Sequence, residues 1–184
     1  ATLSTAQVTA LTTGQIQAMA TDDVQVLTTS AVAALTTAQV QALSTGAVNA
    51  LTTAQVTSLT TSQVSILTTG EVAALNTTQV SVLTTGQVKA LSSGVLQSLS
   101  TQNIQALTTE QLEALSSTQI PTLGTTALSG LAPTTLNVLS TTWSNALSVT
   151  QLPSLTTEQV NQLATAQLAA LSTTQLNSLS TTQW

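Results

Sequence analysis

Few residues in this chain could carry acid–base or nucleophilic chemistry. Lys89 is the only basic side chain, the acids are Asp22, Asp23, Glu71, Glu110, Glu113 and Glu158, and His, Cys, Tyr and Phe do not occur. Without His or Cys, an ordinary zinc, haem or iron–sulfur site has no ligands. The nucleophile–base pairs of hydrolases need His, Cys or an activating Lys. Ser and Thr make up roughly a third of the residues, but no group is placed to activate them. The expectation is a protein that is not an enzyme and uses no cofactor or metal. Asp22–Asp23 is the one adjacent acidic pair. A calcium site needs six to eight oxygens, and helix capping accounts for the pair better. A basic patch and stacking aromatics are both missing, which argues against nucleic acid. Mean hydropathy is +0.35, yet Thr, Ser or Gln interrupts every apolar run long before the length of a membrane span.

The elements that position these residues follow an eight-residue repeat. Leu stands at 3, 11, 27, 35, 43 and every eighth position to 179, with Met19 as the one substitute. With Leu as position one, position six is Val8, Ile16, Val24 and so on to Leu176 and Trp184, broken only by Ser144. Position two is Ser or Thr in 18 of 23 units, position three in 21, and position five is Gln in 14. The unit reads Leu-Thr-Thr-x-Gln-Val-x-Ala.

Eight residues do not fit one continuous helix, because at 3.6 residues per turn the Leu stripe drifts by about 80° per unit. One continuous strand also fails, since positions one and six have opposite parity. The chain must turn within every unit, which predicts a single solenoid of 23 units over residues 1–184.

Thr or Ser at position two, followed three residues later by Gln, is a capping box, and Leu at position one with Val at position six is its hydrophobic staple. Five of the six acids fall at positions four and five, the first turn of the helix so defined, where the dipole favours them. Pro133, at position three, suits the first helical residue. The predicted fold is all-α, a solenoid of very short helices, one per octad. The alternative is a β-solenoid with two octads per coil, which Thr and Val favour and in which Gly at position four would serve turns.

Residues 121–153 are the least regular. Pro121 and Pro153 occupy position seven, where Pro removes a helical hydrogen bond, so those units should be short or distorted. Trp143 at position five and Ser144 at position six read as a register slip, with Trp143 filling the slot that Ser144 leaves; the sharper reading makes Trp143 a docking point. Asn76-Thr77-Thr78 fits the N-glycosylation pattern, though one match in so Thr-rich a chain is expected by chance.

Runs such as Leu35-Thr36-Thr37-Ala38-Gln39-Val40-Gln41-Ala42 resemble the octapeptide arrays of very large bacterial surface or secreted proteins of the adhesin type. The resemblance implies an extracellular or cell-surface structural role and carries over no functional residues. The expected function is a rod or filament subunit. The alternative is a binding module for a glycan, ice or a protein. Ice binding is disfavoured because adjacent Thr at positions two and three would point opposite ways on a strand. Trp184 falls at position six and Ala1 at position seven, so one chain placed after another keeps the octad phase. The expected partner is therefore another copy, head to tail, or further repeats of a longer parent chain. The candidate interface residues are Trp143, Trp184, Ala1 and Leu3.

Overall fold

The computed structural model describes residues 3 to 184. Among them are twenty α-helices of five or six residues, two 3-10 turns and no strand. The short-helix solenoid holds, and the β alternative fails. The chain divides into two compact units, Ala1–Val95 and Leu96–Trp184.

One octad from the first unit shows how the sequence makes its turn. The helix Thr37–Gln41 starts after Thr36, whose Oγ1 accepts from the Gln39 N–H at 3.2 Å, while Gln39 Oε1 accepts from the Thr36 N–H at 2.9 Å. Both halves of the box are present, satisfying two of the donors that a helix start leaves orphaned. At the other end, the Leu43 N–H donates to the Val40 carbonyl at 3.1 Å. Leu and the capping residue are both extended, as at Leu35 (φ −54°, ψ 135°) and Thr36 (φ −68°, ψ 158°). Two extended residues make the corner, and no described residue has positive φ. The repeat therefore turns without glycine, and Gly14, Gly46, Gly70, Gly86 and Gly94 sit inside the first turns of helices.

The two Leu and Val columns form the core. Val40, Leu43, Val48, Leu51, Val56 and Leu59 are all buried. Contacts join helices three octads apart, such as Thr29–Ala34 with Thr53–Ser58 in the first unit and Thr101–Ala106 with Thr125–Ser129 in the second. Hydrogen bonds between coils span 25, 28, 30 and 31 residues. Each coil therefore takes between three and four octads. No octad has a core of its own, and stability is a sum over coil-to-coil interfaces.

The prolines act as their positions dictate. Pro133 is the first residue of the helix Pro133–Val138. Pro121 and Pro153 reduce their octads to the 3-10 turns Ile120–Thr122 and Leu152–Ser154. Their capping boxes survive, since Gln119 and Gln151 still accept from the N–H groups of Ser116 and Ser148 at 3.0 and 2.8 Å.

Candidate functional site

The most organised polar feature is a buried ladder made by Gln at position five. Its Oε1 closes the capping box, which leaves Nε2 with two hydrogens pointing at the preceding coil. Gln55 Nε2 donates to the carbonyls of Val24 and Leu27, each at 2.8 Å. Gln63 does the same to Val32 (3.0 Å) and Leu35 (2.7 Å), and Gln87 to Val56 and Leu59 (each 2.8 Å). In the second unit Gln159 reaches Leu128 (2.9 Å) and Leu131 (2.7 Å), and Gln167 reaches Leu136 and Leu139 (each 2.7 Å). These acceptors lie at helix C-terminal ends, where carbonyls lack intrahelical partners. A single amide thus caps its own helix start and the helix end one coil earlier. The capping half was legible in the octad. The second half was missed, because it links residues whose spacing depends on coil length.

Two departures from Gln have different consequences. Glu71 is 3% exposed, and its Oε2 accepts from the Thr68 N–H at 2.6 Å, which preserves the cap. Its Oε1 is buried without a hydrogen-bond partner, at the place where the ladder elsewhere puts a donor. Trp143 is 2% exposed, and its indole Nε1–H donates to the Leu112 carbonyl at 3.0 Å. Indole has no acceptor to cap Ser140. That part passes to Glu113, whose carboxylate takes the Ser140 N–H and, at 2.9 Å, the Ser140 hydroxyl.

The octad of Trp143 keeps its phase. Ser140 caps the helix Thr141–Asn145, Trp143 occupies the Gln column and Ser144 stays buried in the Val column. This corrects the register-slip reading: Trp143 stays at position five and Ser144 at position six of an intact, capped helix. Trp184 is 76% exposed and Leu3 is half-buried; Ala1 lies outside the described residues. Asp23 accepts from the Ala20 N–H at 3.2 Å, so it acts as a capping acid. Asn76 is an N-cap, its Oδ1 accepting from the Gln79 N–H at 3.0 Å. No group of acids that could hold a metal occurs among the described residues, and no helix among them is long and apolar enough to cross a membrane.

Short capped helices on an eight-residue period, tied coil to coil by one side chain, define a tandem-repeat protein of the helical solenoid class. The chain belongs to the ALTTAQ repeat family, which matches residues 16–53, 32–69, 65–93 and 93–125, together more than half of its length. No curated protein and no solved structure matches it.

Proposed function

We propose that the protein is a structural element outside the cell, a stack of octapeptide coils that extends head to tail and has no catalytic activity. The observation that carries this reading is the Gln ladder. The repeated polar side chain that could have formed a site is spent on holding backbone to backbone. Leu and Val fill the core, and Thr and Ser close the caps. What is left for solvent is mostly small and uncharged, so little repulsion opposes the stacking of copies.

Electron microscopy of the purified chain over a range of concentrations tests this reading. Unbranched assemblies that lengthen with concentration are expected. Single particles at every concentration, together with specific retention on a glycan array, would replace it with the binding-module reading.

A further inference from the structure

Among the described residues, only Glu71 has a buried side-chain oxygen without a hydrogen-bond partner. It lies in the first unit. Its Oε2 is engaged, accepting from the Thr68 N–H at 2.6 Å and from the Thr68 hydroxyl at 2.7 Å. Its Oε1 is the unpartnered atom, and it stands where the ladder elsewhere puts an amide nitrogen. The rungs on either side define what surrounds that place. Gln63 Nε2 donates to the carbonyls of Val32 (3.0 Å), Ala33 (3.3 Å) and Leu35 (2.7 Å). Gln79 Nε2 donates to those of Val48 (3.2 Å), Asn49 (3.0 Å) and Leu51 (2.7 Å). The same spacing from position 71 selects the carbonyls of Val40, Gln41 and Leu43. They lie at and just beyond the end of the helix Thr37–Gln41, and a helix C-terminus favours positive charge. The Leu43 carbonyl accepts no hydrogen bond among the described residues.

Position 71 thus gathers a carboxylate oxygen and three carbonyl oxygens, with no hydrogen between them. Buried charges persist where they are paired or coordinate a metal. We propose that Glu71 Oε1 and the carbonyls of Val40, Gln41 and Leu43 bind a monovalent alkali cation, sodium or potassium. Carboxylate and carbonyl oxygens are the ligands that hard cations take, and carbonyl oxygens can replace the hydration shell of an alkali ion. One positive charge balances the one carboxylate, whereas a divalent ion would leave net charge in the interior, which is costly. The ion takes over the rung: it ties Glu71 to the preceding coil as the Gln55 amide ties Val24 and Leu27.

Thermal unfolding in sodium, potassium or tetramethylammonium chloride at one ionic strength tests the site. Screening is then the same in every salt, and tetramethylammonium is too bulky to enter. With sodium or potassium at about tenfold excess over its Kd, the wild-type melting temperature should be about 3–6 °C above that in tetramethylammonium. Glu71→Gln supplies donors in place of the oxygen and should melt at one temperature in every salt. It should melt above the wild type in tetramethylammonium, and the gap should narrow in the salt of the ion that binds. Gln55→Glu sets a carboxylate against the carbonyls of Val24, Gln25 and Leu27, so it should acquire the alkali dependence that Glu71→Gln loses. Titrating the alkali ion should give a saturable rise for the wild type and a flat line for Glu71→Gln. A wild type that melts at one temperature in every salt overturns the proposal, and so does an alkali response that Glu71→Gln retains.

Discussion

Trp143 donates its indole N–H to the carbonyl of Leu112, which lies 31 residues earlier, the separation at which Gln55 meets Val24. A bulky aromatic has taken over one rung of a ladder otherwise built from amides. The substitution is accommodated because its lost function moved elsewhere: Glu113 accepts the Ser140 N–H that a Gln would have accepted.

This division of labour predicts coupling. In the natural background, Glu113→Ala removes the acceptor of the Ser140 N–H and should cost about 1 kcal/mol. In a Trp143→Gln/Ser144→Leu background, which restores the usual octad, the introduced glutamine would cap Ser140 itself and Glu113→Ala should cost close to nothing. A double-mutant cycle by urea unfolding measures the difference. Additive costs would show that Glu113 and Trp143 do not share one role.

Glu71 gives a second test. The register of the ladder pairs position 71 with the carbonyls of Val40 and Leu43, and Glu71 Oε1 is buried there without a hydrogen-bond partner. Glu71→Gln keeps the cap on Thr68 and supplies two donors. It should raise stability by about 1–3 kcal/mol, the usual cost of an unsatisfied buried polar group. The reverse change, Gln55→Glu, should lower it by a similar amount. Thermal unfolding of both variants checks the sign, and a destabilised Glu71→Gln would count against the ladder.

Where the octad alone dictates structure, the sequence is transparent. Caps at Thr36 and Thr52, the helix start at Pro133 and the shortened turns at Pro121 and Pro153 all depend on residues within one unit. Fold class followed from them. What stayed hidden depends on which octads become neighbours. The partner of Gln55 Nε2 lies 28 to 31 residues away, and the eight-residue period does not say how many octads close a coil. Trp143 was misread for the same reason: its fit is legible only once position five is known to face the carbonyls of the preceding coil.

Glycine in this fold has two opposite meanings. Gly46 lies in the first turn of the helix Thr45–Ala50, and a Cβ there would meet only Ser44 Oγ, at 3.8 Å. Gly46→Ala should therefore stabilise by about 0.5–1 kcal/mol through helix propensity. Gly130 is different, because a Cβ would come within 2.1 Å of Thr101 Cγ2 and 3.3 Å of the Ala127 carbonyl. Gly130→Ala should destabilise by about 1–3 kcal/mol, as overpacking does. Calorimetry on the two variants should show melting temperatures shifted in opposite directions.

The Leu column and the neighbouring position seven should respond very differently to truncation. Leu67 is buried, and its N–H donates to the Val64 carbonyl at 3.2 Å. Leu67→Ala opens a cavity against the coils on either side and should cost about 2–5 kcal/mol. Ser65, two residues earlier, is exposed, and its hydroxyl donates only to the Ser62 carbonyl at 2.8 Å within its own turn. Ser65→Ala should change stability by less than about 0.5 kcal/mol. Position seven is not uniformly idle, however: Asn49 Nδ2 donates to the Ala74 carbonyl at 2.6 Å, 25 residues on, so Asn49→Ala should cost about 1 kcal/mol. Because stability is held in nearest-neighbour interfaces, the damage from Leu67→Ala should also be local. Amide hydrogen exchange should speed up in the coils that touch residue 67 and stay unchanged around Val8 and Ile16. Faster exchange spread evenly over residues 3 to 95 would mean that the first unit unfolds as one cooperative block, and the coil-by-coil account of its stability would fail.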